Sequence, residues 1–402
     1  MRANWSVNAG AVMVAVTRAI GHPKILFCGL LTFLIFVLPT LAFAQDWNWT
    51  REDVADKSGR SMSLASDADG NVHMSYGSDE GLKYGFRPVG DKSRWFTMPL
   101  GGGVAYTSLS LDSHGNPHIC STYLSLPLRY AHYDGERWSI QEIAPEDNTS
   151  VQLACGVAVS PDGTPHLSWY RIPSNEADYK HIRYAVLKDG LWLMRTLDFD
   201  MQTGKWHTMI VDPQGNPAVS YDAFVKGLLK LARWEGKDWS FRIVDSRGAH
   251  GPDYNLGMGS SLAFDSHGNV HITYYSSTEM RHAWQDGQSW KVETVDKITP
   301  SGGFLEYRSS IVFDRDGFLH ISYEDRGMAK HAFWDGRQWH VQVIAPSGTT
   351  PSRFSAMTID LKHNILYFAY QDAADGSLRV AVGRLNSGQS QTAMSEKKAD
   401  KN

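Results

Sequence analysis

The 402-residue sequence has only three cysteines, and their spacing matches no cysteine-based zinc motif. It also lacks an excess of basic residues, since 39 lysines and arginines stand against 43 aspartates and glutamates. After residue 41 there is no long apolar run and no segment with the 3.6-residue periodicity of a helix. These absences exclude a zinc finger, a polytopic membrane protein and a non-specific nucleic-acid binder.

An apolar leader opens the chain. Residues 25–41 carry no charge, follow three basic residues and end before the small-residue pattern Ala42-Phe43-Ala44. This predicts a signal peptide over residues 1–44, cleaved after Ala44, and a secreted or periplasmic protein without a membrane span. The alternative is an uncleaved N-terminal membrane anchor, because the apolar stretch approaches spanning length. Cleavage would change the formal net charge from −4 to −7, which predicts no nucleic-acid partner.

Cleavage would also leave two cysteines. Cys28 lies in the leader, whereas Cys120 and Cys155 lie in the mature chain. In an oxidising compartment these two could form a disulfide, and the alternative is a pair of buried free thiols. The sequence leaves both open.

One repeat unit occurs seven times after the leader. It is clearest in Ser261-Leu-Ala-Phe-Asp-Ser-His-Gly-Asn-Val-His271, which Asp286-Gly-Gln-Ser-Trp290 follows. The position of the first aspartate is filled in turn by Asp67, Asp112, Ser160, Asp212, Asp265, Asp314 and Asp360. Each unit contains four short segments of alternating apolar and polar residues between Gly/Asp/Asn turns. We therefore predict an all-β fold, a seven-bladed β-propeller with four-stranded antiparallel blades.

The two ends of the chain predict how the propeller closes. The seventh repeat stops after its third strand, and the segment from Trp47 to Val54 resembles the missing fourth strand. Pairing of the N- and C-terminal segments would complete that blade and remove exposed sheet edges. The predicted propeller spans residues 45–386. Residues 387–402 are expected to form a disordered tail, because they have no apolar residues beyond alanine and methionine.

The turns of the repeat resemble those of the secreted sialidase-like propeller superfamily, often called BNR or Asp-box proteins. The resemblance rests on Asp316-Gly-Phe-Leu-His320 and Asp286-Gly-Gln-Ser-Trp290, and it covers residues 47–385 as architecture. This chain departs from the sialidase Asp box because histidine closes the first turn where sialidases have tryptophan. The resemblance implies a propeller, in a superfamily that includes sialidases, polysaccharide lyases, lectin-like binders and scaffolds. Tyr170-Arg171-Ile-Pro173 is similar to the sialidase arginine motif, but it lies in the third repeat.

Residues that recur in most repeats are expected to build the scaffold. The recurrent histidines are His73, His118, His166, His271 and His320. Equivalent atoms of adjacent blades should lie roughly 10 Å apart, so two of these histidines could not bind the same metal ion. We therefore predict no metal site. We expect each histidine instead to form a hydrogen bond near the turn of its own blade. A basic residue on strand 3 and a tryptophan on strand 4 also recur, and we predict that both pack between blades.

Positions that break the repeat are the candidates for function. The connections between strands 2 and 3 and between consecutive blades vary in length, and both emerge on one face, called here the variable-loop face. The candidate ligand-binding residues there are Tyr106, Arg171, Trp206, His207, Asp253, Tyr254, Tyr307, Arg308 and Arg353. This combination suits sugars, particularly acidic ones, because rings stack on apolar sugar faces and arginine binds carboxylate or sulfate.

Three functions remain open at this point. The first is binding of an extracellular or cell-envelope carbohydrate without catalysis. The second is a polysaccharide-active enzyme, either a uronate lyase or a sialidase-like glycosidase. In a lyase similar to the ulvan-lyase propellers, His207 or His250 with Tyr254 would move the proton and Arg308 would hold the carboxylate. The third is a protein-interaction scaffold of the cell envelope. None of the three requires a cofactor.

Overall fold

The computed structural model describes most of the predicted propeller. The described residues are 47–55, 58–59, 61–90, 94–123, 127–143, 151–173, 180–200, 202–247, 256–299, 308–346 and 354–385. The predicted signal peptide and C-terminal tail lie outside them. Within them, no helix is long and apolar enough to cross a membrane.

Seven four-stranded antiparallel sheets follow one another along the chain, as the repeats predict. The chain enters through β1 (Trp47–Ala55). Blade 1 contains β2 (Met62–Ser66), β3 (Val72–Ser78), β4 (Gly81–Arg87) and β5 (Phe96–Gly101). Blade 2 contains β6 (Tyr106–Leu111), β7 (Pro117–Thr122), β8 (Leu128–Tyr133) and β9 (Trp138–Ile143). Blade 3 contains β10 (Val151–Val159), β11 (Pro165–Ile172), β12 (His181–Lys188) and β13 (Leu191–Thr196).

The remaining blades have the same order. Blade 4 contains β14 (Thr203–Val211), β15 (Pro217–Ala223), β16 (Leu228–Trp234) and β17 (Trp239–Asp245), with a 3-10 turn at Phe224–Lys226. Blade 5 contains β18 (Met258–Phe264), β19 (Val270–Tyr275), β20 (Glu279–Asp286) and β21 (Ser289–Lys297). Blade 6 contains β22 (Ser310–Phe313), β23 (Leu319–Asp325), β24 (Met328–Trp334) and β25 (Trp339–Ala345). Blade 7 contains β26 (Ser355–Asp360), β27 (Ile365–Gln371) and β28 (Leu378–Leu385).

Blade 7 is completed by the N-terminal strand, which confirms the predicted closure. β1 pairs antiparallel with β28, from Trp47 opposite Leu385 to Ala55 opposite Leu378. Glu52 of β1 is buried, and both of its carboxylate oxygens accept hydrogen bonds at 2.8 Å from the buried Arg87 of blade 1. The closing strand therefore holds two neighbouring blades together.

The repeated aspartate shapes the turn between the first two strands of a blade. In blade 1, Asp67 Oδ1 accepts the backbone N–H groups of Asp69 and Asn71, at 3.0 and 2.9 Å. Gly70 has a φ of +93°, a conformation that favours glycine. The same carboxylate-to-backbone pattern recurs at Asp112, Asp212, Asp265 and Asp314.

The recurrent histidines join this turn to strand 3, in agreement with their predicted structural role. In blades 1 to 3, histidine Nδ1 lies 2.5 to 2.7 Å from a tyrosine hydroxyl. In blades 5 and 6 it lies 2.9 and 3.0 Å from the Nε2 atom of a second histidine, forming the pairs His271–His282 and His320–His331. No group of three or more potential metal ligands occurs among the described residues.

Tryptophans and basic residues connect neighbouring blades, as predicted. The rings of Trp138, Trp192 and Trp239 lie 4.9 to 5.2 Å from a tyrosine of the preceding blade. The strand-3 bases of blades 4, 5 and 6 pair with an aspartate at or just after the end of strand 4 of the preceding blade. These pairs are Lys230–Asp198, Arg281–Asp245 and Lys330–Asp296. Cys120 of β7 and Cys155 of β10 form a disulfide between blades 2 and 3.

Candidate functional site

A cavity of about 430 Å³ follows the central channel, and the innermost strand of every blade contributes to its wall. The wall extends from Lys205 and Arg308 near the variable-loop face to Leu111, Val159 and Val211 toward the opposite face. Lys205 and Arg308 are the only charged residues among the described residues that line it. The described wall is therefore cationic and carries no carboxylate, although the chain as a whole has a net negative charge.

Small hydroxyl residues at the start of the inner strands bond adjacent blades together. Thr107 Oγ1 donates to Ser75 Oγ at 2.9 Å, and Ser220 and Ser260 share a hydrogen bond of 2.8 Å. The hydroxyl oxygens of Thr273 and Ser309 lie 3.0 Å apart. These bonds explain why most repeats have serine or threonine here, and they hold the channel wall rigid.

Blade 4 departs from this pattern at the beginning of β14. The strand starts at Thr203, three residues before the predicted Trp206, and its register with β15 shifts between Thr203 and His207. Gly204 has a φ of +88°, and a Cβ at this position would lie 2.4 Å from Ile182 Cβ. The shift brings Lys205, Trp206 and His207 to the channel wall.

Each of the two wall cations lies against an aromatic ring. Lys205 Nζ is 4.7 Å from the ring centroid of Trp206, and Arg308 Cζ is 5.4 Å from that of Tyr106. Both distances are within the range of cation–π attraction. Trp206 and Tyr106 are each only 4% exposed, so these rings orient the cations more than they offer open stacking surfaces.

His207 is buried in the wall as a neutral imidazole. Burial lowers the pKa of the His207 imidazole to about 4. The hydrogen bond with the Gly204 carbonyl raises this pKa, whereas the positive charge of Arg308 lowers it further. Its Nδ1 lies 2.8 Å from the Gly204 carbonyl oxygen and therefore carries the proton. The other nitrogen, Nε2, is the acceptor, and it is buried without a hydrogen-bond donor among the described residues.

Asp222 of β15 lies behind the same segment. Its Oδ1 accepts the backbone N–H of Trp206 at 2.9 Å, and its Oδ2 is buried without a hydrogen-bond partner among the described residues. Burial raises the pKa of Asp222 to about 7, against the lowering effects of the Trp206 N–H and the Lys205 charge. Asp222 fixes the backbone that presents Lys205 and His207.

The structure brings together part of the predicted site. Trp206, His207 and Arg308 line the channel, and Tyr106 lies beneath Arg308. Arg171, at the end of β11, is not among the residues that line the cavity. The other candidates lie outside the described residues: His250, Asp253, Tyr254, Tyr307 and Arg353.

Sequence reasoning missed Lys205 and Asp222. Asp222 occupies a strand position where other repeats have uncharged residues such as Thr122, Tyr170 and Tyr275, except that blade 6 has Glu324. A carboxylate in a buried strand was the signal that could have identified it. Lys205 directly precedes the Trp206-His207 exception, but a lysine near a loop has no distinguishing pattern.

No protein-family model matches the chain, and no curated protein matches it. Solved structures do match. A protein of unknown function from Dyadobacter fermentans has a TM-score of 0.50 at 12% identity, over 85% of this chain and 99% of that one. The six-bladed fucose-recognising lectin of Aleuria aurantia has a TM-score of 0.49 at 15% identity, over 72% and 96% of the two chains. Trypanosoma rangeli sialidase, in complex with the inhibitor DANA, has a TM-score of 0.49 at 12% identity, over 83% and 59%. At such identities the likeness is one of propeller fold.

Proposed function

We propose that the protein is an exported β-propeller that binds an acidic carbohydrate at the variable-loop end of its central channel. The observation that carries this proposal is the charge of the described channel wall, where Lys205 and Arg308 are cationic and no carboxylate is present. A guanidinium binds carboxylate or sulfate through paired, charge-assisted hydrogen bonds. The wall also includes the partly exposed serines Ser108, Ser110 and Ser310, whose hydroxyls suit sugar hydroxyls.

The size and rigidity of the cavity favour a small ligand or the end of a polymer. Its volume of about 430 Å³ falls within the usual range of small-molecule sites. The hydrogen bonds between blades fix the wall before a ligand arrives, so little conformational entropy is lost on binding.

A glycan array with matched uronate, sulfated and neutral oligosaccharides tests this proposal. We expect binding to uronate or sulfated glycans and much weaker binding to the neutral glycans of the same linkage. Equal binding to neutral and acidic glycans would contradict a cationic site. A failure to bind any glycan would favour the protein-interaction scaffold.

A uronate lyase is the second candidate, and His207 favours it. Proton abstraction needs a neutral base close to a cation that stabilises the developing charge. His207 is neutral, its Nε2 has no hydrogen-bond partner among the described residues, and it lines the same cavity as Arg308. Incubation with uronate polysaccharides distinguishes the alternatives, since only a lyase forms an ultraviolet-absorbing unsaturated product, and His207→Ala should abolish it.

Export and superfamily membership belong to the same proposal. The leader pattern of residues 1–44 supports export, and so does the Cys120–Cys155 disulfide, because disulfides persist in oxidising compartments. The repeated Asp-x-x-Gly turn supports membership of the sialidase-like Asp-box superfamily. N-terminal sequencing of the mature protein tests export, with Gln45 expected as the first residue.

A further inference from the structure

A ledge on the variable-loop face exposes two apolar side chains. It consists of Phe199 and Asp200, between blades 3 and 4, and the 3-10 turn Phe224–Lys226 of blade 4. Phe199 is 75% exposed and Val225 is 55% exposed. Among the large apolar side chains of the described residues, Phe199 has the greatest exposed fraction.

The segment that carries Phe199 is anchored at the preceding residue. Asp198 is buried and accepts a hydrogen bond of 2.7 Å from the Tyr221 hydroxyl. It also forms an ion pair with Lys230, the strand-3 base of blade 4. The backbone beside Phe199 is therefore fixed, although its side chain projects into solvent.

A second set of bonds joins the two parts of the ledge. Lys226 Nζ donates to Asp200 Oδ1 at 2.8 Å, and the Phe224 N–H donates to the Gln202 carbonyl oxygen at 3.3 Å. Asp200 also accepts a hydrogen bond of 3.0 Å from Lys230. The exposed aromatic ring thus belongs to a cross-linked surface, on which binding costs little side-chain and loop ordering.

The ledge is structurally continuous with the channel wall. Tyr221, which anchors Asp198, is followed directly by Asp222, which accepts the N–H of Trp206. Two successive residues of β15 thus hold the ledge and the cationic wall. Lys205 of the channel wall lies three residues after Gln202, whose carbonyl oxygen accepts the hydrogen bond from the ledge residue Phe224.

We propose that Phe199 is a second sugar-binding position and that the protein binds an oligosaccharide or polysaccharide chain. One acidic unit would occupy the channel near Arg308, and a further unit of the same chain would stack on the Phe199 ring. This inference rests on the proposed function. A carbohydrate chain fits the ledge better than a protein partner, because two exposed apolar side chains are far fewer than a standard protein interface buries.

Titration calorimetry with monomers and tetramers of galacturonate, glucuronate and mannuronate tests the inference. For the wild-type protein we expect tighter binding of a tetramer than of its monomer. Phe199→Ala should weaken tetramer binding about three- to tenfold and leave monomer binding unchanged. Leu193→Ala is the matched control, because this side chain is 53% exposed on the outer strand β13, and it should change neither.

The outcomes separate this inference from the function on which it rests. If tetramer binding is unaffected by Phe199→Ala but lost in Arg308→Ala, the channel site stands and the ledge position is wrong. Equal losses for monomer and tetramer in Phe199→Ala would also overturn it, because Phe199 would then belong to the first site. If the wild-type protein binds none of these uronates, the proposed uronate ligand fails and the ledge proposal fails with it.

Discussion

The guanidinium of Arg308 in blade 6 lies over the ring of Tyr106 in blade 2, with Cζ 5.4 Å from the ring centroid. Two blades separate them along one side of the propeller and three along the other, so the contact spans the channel. Arg308 also lowers the pKa of His207 in blade 4 through its charge. The three residues that meet here come from positions about 100 residues apart in the chain.

Removing the Tyr106 ring should weaken binding of an acidic glycan without unfolding the propeller. Tyr106→Leu removes the cation–π contact that orients Arg308, and we expect a loss of about 0.5–1 kcal/mol in binding free energy. Calorimetry with a uronate oligosaccharide measures it. Tyr106→Phe keeps the ring and serves as control, so equal losses in the two variants would contradict an orienting role.

The closing strand gives a prediction about stability. Glu52→Ala leaves Arg87 buried without its carboxylate partner, and we expect a loss of about 3–5 kcal/mol in the free energy of unfolding. The neighbouring Asp53 side chain is 73% exposed, and its pair with Arg379 should contribute less than about 1 kcal/mol. Chemical denaturation of Glu52→Ala and Asp53→Ala compares them. Equal effects would contradict the account of β1 as the strand that holds blades 7 and 1 together.

The buried histidines predict a loss of stability in mild acid. Burial lowers the pKa of His118, His166, His207 and His271 to about 4. The unfolded chain, with histidine pKa values near 6.5, takes up more protons between these limits. The free energy of unfolding should therefore fall by several kcal/mol as the pH decreases from about 6.5 to about 4. Denaturation at several pH values measures this.

His271→Ala separates the histidine contribution from other causes of acid instability. The variant should lose about 1–3 kcal/mol at pH 7, because its hydrogen bond with His282 is removed. On acidification, the free energy of unfolding of the variant should then fall by less than that of the wild-type protein. A steeper acid dependence would contradict the assignment. Stoichiometric zinc that disappears in this variant would overturn the structural role of His271.

Asp222 has the opposite pH dependence. Its pKa is raised to about 7 in the folded protein, above the ordinary 3.8, so it destabilises the fold as the pH rises from about 4 through 7. Asp222→Asn removes this charge and keeps an acceptor for the Trp206 N–H. The difference in free energy of unfolding between the variant and the wild-type protein should therefore change with pH. It should favour the variant by up to about 4 kcal/mol more at pH 8 than at pH 4. A difference that does not change with pH would contradict this assignment.

Regular features were predictable from the sequence because each recurs in most blades. The Asp-x-x-Gly turn, the histidine behind it and the tryptophan between blades identified the propeller and its closure through Trp47. Contacts that occur once were not predictable. The Glu52–Arg87 pair and the bond between Asp222 and Trp206 join single residues of different strands, and no repetition marks them.

The candidate site was predictable only where an exception interrupted a regular position. His207 stands where other repeats have small residues such as Ser260, Ser309 and Ser355, and this led to the channel wall. The register shift that starts β14 at Thr203 depends on Gly204, whose positive φ is a property of the folded backbone. The exposure of Phe199 likewise depends on how Tyr221 and Lys230 anchor the preceding aspartate.

The affinity of Arg308→Ala for an acidic oligosaccharide tests the central claim most directly. Calorimetric titration should show a loss of about 1.5–3 kcal/mol in binding free energy, the value of a charge-assisted hydrogen bond, with an unchanged melting temperature. Arg137→Ala is the matched control, because this 85% exposed side chain lies in the tight turn before β9, on the opposite face, and it should bind like the wild-type protein. Unchanged binding in Arg308→Ala, or a loss in Arg137→Ala alone, would contradict a cationic sugar site at the variable-loop end of the channel.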